Sequence, residues 1–366
     1  MKQKPNFLTK YKLLIVHSTQ FGYHTDTLMY CKYLDKSIFE IHYFGFDHGL
    51  DKFQLEDVNV HYIVYQKNKL ILYFKYIAAL IKVNRQNHFD LIFHVHTKLS
   101  LIIRFIFLFN KYIFDIRTGD LDDNLWKRQI KNFFISIISK LSVNKSVIAD
   151  SLADELHINK KKRHIIPLGA ESLCEIKKEF QVLHLIYVGT LTKRNIHETI
   201  TGVALFLKKY KDVEILYDII GAGNRNYEAK LIESINDNSL NKKVHFHGFV
   251  KYSELKPFFE KANVGITYIP QKKYYQNQPS TKLFEYLLAG MPVIATNTYE
   301  NRKIVNDNCG FICEDNAHDF SIALEKLYTM RMTYNSDFIK KQFIKSNWNN
   351  IVKEYVEPFF IDKITQ

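Results

Sequence analysis

Lys282 and Glu285 stand three residues apart within residues 278–296, Q-P-S-T-K-L-F-E-Y-L-L-A-G-M-P-V-I-A-T. A spacing of three on an α-helix places both side chains on one face. Pro279 and Ser280 are helix-start residues, with Ser280 as the expected cap. Gly290 stops the helix and Pro292 bars its continuation. Leu283 and Leu287 fall on another side, available for packing, and residues 293–296 form a short apolar run of the buried-strand kind. A cation and a carboxylate side by side at the start of a helix suit a ligand bearing phosphates and hydroxyls. A nucleotide sugar meets that description.

Three other segments of the second half place suitable groups at strand ends. In Y-V-G-T-L-T-K-R-N-I, residues 187–196, a strand ends at Gly189 and a helix is expected from about Asn195. Glycine lets a backbone approach a ligand closely, and a helix start favours an anion. Thr190, Lys193 and Arg194 line that loop. I-I-G-A-G, residues 219–223, contains Gly221, but Asn226 stands where a dinucleotide fingerprint needs its third glycine. A tight strand-to-helix turn is the favoured reading. In V-H-F-H-G-F-V, residues 244–250, the backbone amides of Phe249 and Val250 are expected at the sheet edge, placed to read a base. His245 and His247 share a strand face there. With no further ligands evident, they read as hydrogen-bonded histidines rather than a metal site.

The first half offers a second set. Gly22, His24 and Asp26 follow the first strand, F-H-V-H-T brings His94 and His96 to a strand end, and F-D-I-R-T-G-D brings Arg117 to the next. These three loops are expected at one rim. A general base or substrate-positioning group is sought among His24, Asp26, His96 and Arg117, each of which also reads as an ordinary structural residue.

The elements that must hold these groups alternate. Strands are expected at 11–17, 39–46, 58–65, 90–95, 112–116, 146–149 and 164–166, with helices at 25–34, 70–84, 99–109 and 125–141 between them. The rhythm restarts with strands at 183–188, 214–220, 244–246 and 264–268 and helices at 195–210, 228–236 and 253–261. This pattern predicts two α/β units, each a doubly wound, Rossmann-like parallel sheet covered on both faces. Two facing domains leave a central cleft at their strand ends. The expected divisions are 1–172, 173–342 and an amphipathic tail, 343–366.

The 366 residues exceed one ordinary domain, and 46% hydrophobic residues exclude disorder. Fifty-one Lys and Arg against 38 Asp and Glu give a formal charge of +13. That excess suits phosphorylated small molecules or an anionic membrane surface, and equally a compositional bias. No zinc-finger spacing or aromatic RNA-binding signature points to nucleic acid. Four scattered cysteines, Cys31, Cys174, Cys309 and Cys313, suggest a reducing, cytoplasmic setting, and Cys309 and Cys313 read as buried thiols. The basic stretch 1–12 lacks the apolar core of a secretory signal. The apolar run 99–114 is too interrupted to span a bilayer. The basic, aromatic helices 70–84 and 99–112 suit either peripheral contact with an anionic membrane or core packing with extended lysines.

Together, Y-V-G-T-L-T-K-R-N, I-I-G-A-G, V-H-F-H-G-F-V and P-S-T-K-L-F-E-Y-L-L-A-G-M-P-V-I-A-T resemble the retaining glycosyltransferases of the GT-B fold, family four, the "glycosyl transferases group 1" type. S-L-A-D-E-L followed by H-I-I-P-L-G-A-E is similar to that family's domain junction. The resemblance covers most of the second half and is mainly architectural in the first. It implies metal-independent transfer, with retention and no cofactor, from a nucleotide-diphosphate sugar to a saccharide or lipid-linked acceptor, in surface polysaccharide or glycan biosynthesis. Glu285 would hold the ribose hydroxyls, and Arg194 and Lys282 would neutralise the departing diphosphate. Gly189, Thr190, Lys193, Gly221, Phe249, Val250, Asn277, Ser280 and Thr281 would line the donor. Gly22, His24, His96 and Arg117 would lie on the acceptor side. The tail helix would cross back onto the first domain. The chain departs from the family at Asn277, where a second glutamate is common, at Thr190 in place of an arginine, and at Arg117 in place of a histidine. A non-catalytic nucleotide-binding subunit and a nucleotide-sugar epimerase remain as alternatives. The missing third glycine disfavours a nicotinamide-dependent dehydrogenase.

Overall fold

The structure is a computed structural model that describes residues 10–366. Most of the basic stretch 1–12, read above for a secretory signal, therefore lies outside the described residues. The chain divides into two units, the first running to Pro167 and taking in Trp348–Gln366, the second being Leu168–Asn347.

The first unit is built on strands β1 (Tyr11–Val16), β2 (Phe39–Asp47), β3 (Val58–Val64), β4 (Leu91–Val95), β5 (Tyr112–Ile116), β6 (Asn144–Val147) and β7 (His164–Ile165). They form one sheet in the order β3-β2-β1-β4-β5-β6-β7, with every pairing parallel. The chain winds outward in one direction from β1 to β3, then restarts at β4 on the other side. The β1/β4 boundary is thus the point of reversal, where carboxyl-end loops part to admit ligands. All five residues of β4 and of β5 are buried, as a sheet covered on both faces requires. The chain's last helices complete one cover: Trp348 is fully buried against Tyr30, and Phe360 packs on Phe39 and Phe93.

The second unit repeats the plan with β8 (Leu183–Val188), β9 (Ile215–Ile220), β10 (Val244–Phe246), β11 (Val264–Thr267), β12 (Val293–Thr296) and β13 (Gly310–Cys313). Its order is β10-β9-β8-β11-β12-β13, again all parallel, with the reversal between β8 and β11. Both units therefore carry the doubly wound Rossmann-like sheet that the alternation predicted. Among the described residues, no helix is long and apolar enough to cross a membrane.

Several elements differ locally from expectation. The helix after the 189–195 loop begins at His197, not Asn195. The strand expected at 244–246 is β10 itself, and Gly248 turns the chain beyond it at φ +68. The helix expected at 99–109 is the shorter Ser100–Ile106. A 14-residue helix, Ala317–Met330, and a following helix, Ser336–Phe343, lie beyond the elements the periodicity named.

Candidate functional site

Helix Thr281–Leu288 is fixed by its own buried face. Leu283, Tyr286 and Leu287 are fully buried. The Tyr286 ring lies where only a glycine leaves room, since a Cβ at Gly265 on β11 would stand 2.3 Å from it. Its hydroxyl accepts a hydrogen bond from the Val188 N–H at the end of β8, 2.8 Å away. That tie sets the second turn of the helix relative to β8 and β11. Ser280 occupies the N-cap position in extended backbone but makes no side-chain cap bond, so the helix start is held by packing rather than by the expected cap. Thr281 opens the helix beside it, half-buried.

The structure brings Lys282 and Glu285 together, with Nζ 2.5 Å from Oε2. Glu285 is only 3% exposed, whereas Lys282 keeps a quarter of its side chain open. Burial pushes the Glu285 carboxyl up, Lys282 pulls it back down, and Glu171 adds a smaller upward push. The lysine therefore opposes the protonation that burial favours. Its ammonium also lies 5.3 Å from the Tyr252 ring centroid.

At the neighbouring strand ends, glycines form a row. The Gly189 N–H bonds the Ile220 carbonyl, and the Gly221 N–H bonds the Gly248 carbonyl. A Cβ at Gly221 would stand 1.7 Å from the Gly189 carbonyl oxygen, so the β8 and β9 ends approach as only glycine allows. Beyond Gly189, the Thr190 carbonyl accepts from the Tyr187 hydroxyl at 2.7 Å. Lys193 and Asn195 both adopt positive φ, 59° and 54°. Two left-handed non-glycine residues flanking Arg194 are the kind of strain that collects at ligand-holding loops. The Arg194 guanidinium stacks 4.3 Å from the Tyr275 ring centroid, and its Nη1 is buried without a hydrogen-bond partner. Among the described residues, no ion pair or hydrogen bond joins Arg194 to Lys282 or Glu285. Asn277 lies half-buried in the loop before helix Thr281–Leu288. Past Gly248, the Phe249 side chain is exposed and Val250 packs on the core.

Of the two histidines at and just past β10, His247 is hydrogen-bonded to Asp218. Asp218 on β9 receives His184 at 2.6 Å and His247 at 2.7 Å, with His245 3.7 Å away. Burial pushes the Asp218 carboxyl up, but the bonds from His184 and His247 outweigh it and hold it at about 2. I-I-G-A-G is the expected tight turn: Asn224 caps helix Arg225–Asp237, and the Glu228 carboxylate accepts the Gly223 N–H.

In the first unit, the named residues gather at the carboxyl ends of β1, β4 and β5. Gly22 turns the chain at φ +94, against Phe53. His24 has a structural task, capping helix Thr25–Tyr33 by accepting the Thr27 N–H. Its ring lies 4.3 Å from that of His17, a residue the sequence reading did not single out. Burial lowers the pKa of both rings, and for His17 the neighbouring His24, His94 and His96 lower it further. His96 is pushed down to about 4 by burial, with Asp120 opposing, and its Nδ1 is buried without a partner. These rings are neutral at pH 7, the state that accepts a proton.

Arg117 pairs with Asp26, donates to the Ile166 carbonyl at 2.8 Å and lies 3.9 Å from Asp115. Its Nη2 is left without a partner. Burial pushes the Asp115 carboxyl up to about 6 against the pull of Arg117 and a Ser146 hydroxyl bond. Asp115 was hidden in the sequence as one polar residue inside an apolar strand.

Residues 176–343, nearly all of the second unit, match the family described as glycosyl transferases group 1. No curated protein matches the chain at a significant level. Among solved structures, the sucrose-phosphate synthase of Thermosynechococcus elongatus superposes with a TM-score of 0.72 at 13% identity, over 94% of this chain and 97% of its own. A glycosyltransferase from Rickettsia africae gives 0.71 at 15%, over 97% and 96%. The Anabaena HepE protein in complex with UDP and glucose gives 0.71 at 12%, over 97% and 99%. Residues 176–343 thus match glycosyl transferases group 1, and the chain shares the two-unit GT-B fold of these structures.

Proposed function

We propose that the protein transfers a sugar from a nucleoside-diphosphate donor to a saccharide or lipid-linked acceptor, with retention of configuration and without a metal, in the building of a surface polysaccharide or glycan. The observation that carries this reading is the Lys282–Glu285 pair, a buried carboxylate facing a quarter-exposed lysine at the start of one helix. An ionised carboxylate accepts hydrogen bonds from ribose hydroxyls and donates none. The lysine, with Arg194 and its unpartnered Nη1, supplies positive charge for the diphosphate as it leaves. The family of residues 176–343 and the UDP in the HepE structure support the donor class.

On the first unit, the neutral His96 ring and the Arg117 fork each offer an unpartnered nitrogen for an acceptor hydroxyl or an acceptor anion. A lipid-linked acceptor, reached from a peripheral position on an anionic membrane, suits the exposed Leu70 and Phe74 of helix Lys69–Asn87 and the exposed Phe105 and Phe109 at and beyond the end of helix Ser100–Ile106. A panel of UDP-, GDP- and ADP-sugars, screened for transfer or slow hydrolysis, tests the reading. Turnover of one donor with the anomeric configuration retained supports it. Nucleotide binding with no turnover of any donor points instead to a binding subunit, the alternative that Asn277 favours.

A further inference from the structure

The first unit holds a cavity of about 460 Å³ at the amino ends of β6 and β7, the sheet end opposite the His96–Arg117 rim. Asn144 and Lys145 begin β6, His164 begins β7, and the chain's last helix, Glu357–Thr365, supplies another wall with Phe359 and Lys363. The tail is tied to β7 at the cavity itself. The His164 ring stacks on Phe359 with centroids 3.9 Å apart, and its Nε2 donates to the Tyr355 carbonyl at 2.9 Å.

Six side chains lining the cavity are cations, Lys140, Lys145, Lys161, Lys162, Arg163 and Lys363, against one carboxylate, Asp362. Part of this charge is compensated: Arg163 pairs with Asp150 and Asp154, and Lys363 with Asp362. Lys140, Lys161 and Lys162 are exposed and form no ion pair among the described residues. Lys145 is 5% exposed, and its ammonium donates to the Ser139 carbonyl at 2.6 Å, a neutral partner. Burial lowers its pKa, and the charge of Lys162 lowers it further. A buried ammonium beside other cations and no carboxylate is costly until an anion joins it.

Size and spacing narrow the anion. The volume falls within the range of small-molecule sites, about 300–1,000 Å³. The four unpaired ammonium groups come from two places in the chain. Lys161 and Lys162 lie on the 3-10 turn Lys160–Lys162, whereas Lys140 and Lys145 flank the junction of helix Leu125–Leu141 and β6. Two groups of cations suit an anion with two phosphoryl groups. A flat anionic surface meets the three exposed lysines but not Lys145, which a small anion inside the cavity does meet.

We propose that this cavity binds a small molecule carrying two phosphoryl groups, held by Lys140, Lys145, Lys161 and Lys162, and that the bound anion clamps helix Glu357–Thr365 to the amino ends of β6 and β7. The residues assigned above to sugar transfer lie elsewhere, so the proposal does not rest on that reading.

The probe is inorganic pyrophosphate, titrated calorimetrically into the full-length protein beside orthophosphate. Pyrophosphate is expected to bind at least about tenfold more tightly than orthophosphate, through additional charged hydrogen bonds, and less tightly as salt rises. K161E with K162E should weaken it by about 100-fold or more, at least tenfold for each charged hydrogen bond lost. Both lysines are exposed, so the ligand-free double variant should keep the native thermal midpoint; K161Q with K162Q gives a milder second reading in the same direction. Lys282→Ala, in the other unit, should leave pyrophosphate binding unchanged. Hydrogen exchange of the Glu357–Thr365 amides should slow with pyrophosphate in the native protein and not in the K161E, K162E variant. No pyrophosphate binding, equal affinity for orthophosphate, unchanged binding in both lysine variants, or binding lost in Lys282→Ala would overturn the proposal. So would sedimentation with phosphatidylglycerol vesicles in place of any pyrophosphate binding, which would assign these lysines to a lipid headgroup. Pyrophosphate binding at the lysines by a protein that turns over no sugar donor would remove the sugar-transfer reading and leave this one standing.

Discussion

Replacing Lys282 by alanine separates the two tasks assigned to it, meeting the diphosphate and opposing the protonation of buried Glu285. The ammonium lies 2.5 Å from a carboxylate that is 3% exposed. A hydrogen bond to a charged group contributes about 1.5–3 kcal/mol. Loss of the contact to the diphosphate is therefore expected to weaken nucleoside-diphosphate binding by roughly 10- to 150-fold. The second effect is on protonation. Burial already raises the Glu285 carboxyl, and its opposing cation is removed. The variant's carboxyl then takes up a proton at a higher pH than the native one, and a protonated carboxyl donates where the ribose hydroxyls need an acceptor. Nucleotide affinity in the variant should fall as the pH is lowered from neutrality, over a range where the native protein is flat. Stability should move the other way. A carboxyl whose folded pKa lies above its unfolded value favours the fold at low pH, and that contribution is lost as pH rises through the unfolded value toward the folded one. Calorimetric titration with UDP, GDP and ADP, and denaturant unfolding over the same pH series, read both trends. Native affinity with a flat pH profile in Lys282→Ala would refute the reasoning. Glu285→Gln provides the companion test and is expected to lower donor use at least about tenfold.

Tyr275→Ala removes the ring on which the Arg194 guanidinium stacks; donor kcat/KM should fall by about 5- to 30-fold, with the thermal midpoint nearly unchanged, as a stacked cation contributes about 1–2 kcal/mol. Tyr286→Phe deletes the acceptor of the Val188 N–H; a buried donor left unsatisfied should cost about 1–3 kcal/mol in a urea titration. Asp218 stands at about 2 in the fold against the ordinary carboxylate value. Its contribution is complete above the unfolded pKa and is lost as pH falls toward 2. Asp218→Asn should therefore flatten acid unfolding and cost about 1 kcal/mol at neutral pH, a figure kept low because the His245 and His247 sides are open to solvent.

The two doubly wound sheets were legible because β1, β4, β8, β9, β11 and β12 are short apolar runs separated by helical periodicity. The strand orders were not, since pairing depends on contacts between strands far apart in the chain. Helix Ala317–Met330 has an apolar stripe of Phe320, Ala323, Leu324 and Leu327, but it lies past the last motif that drew attention. At the site, the Lys282–Glu285 proximity could be read from spacing alone, as an i, i+3 pair. The burial of Glu285 could not, because its neighbour Tyr286 is anchored at the end of β8 and over Gly265 of β11, strands distant in sequence. His24, named as a chemical group, also caps a helix, a position where histidine is not among the favoured residues. His17 and Asp115 went unnoticed because each ends or interrupts an apolar strand, and their surroundings are assembled from strands distant in sequence.

The most direct test of the central claim is calorimetric titration of the full-length protein with UDP, GDP and ADP, repeated with Lys282→Ala. Saturable binding of one nucleoside diphosphate, weakened in the variant, is the predicted result. No binding of any of the three by the native protein would contradict the account.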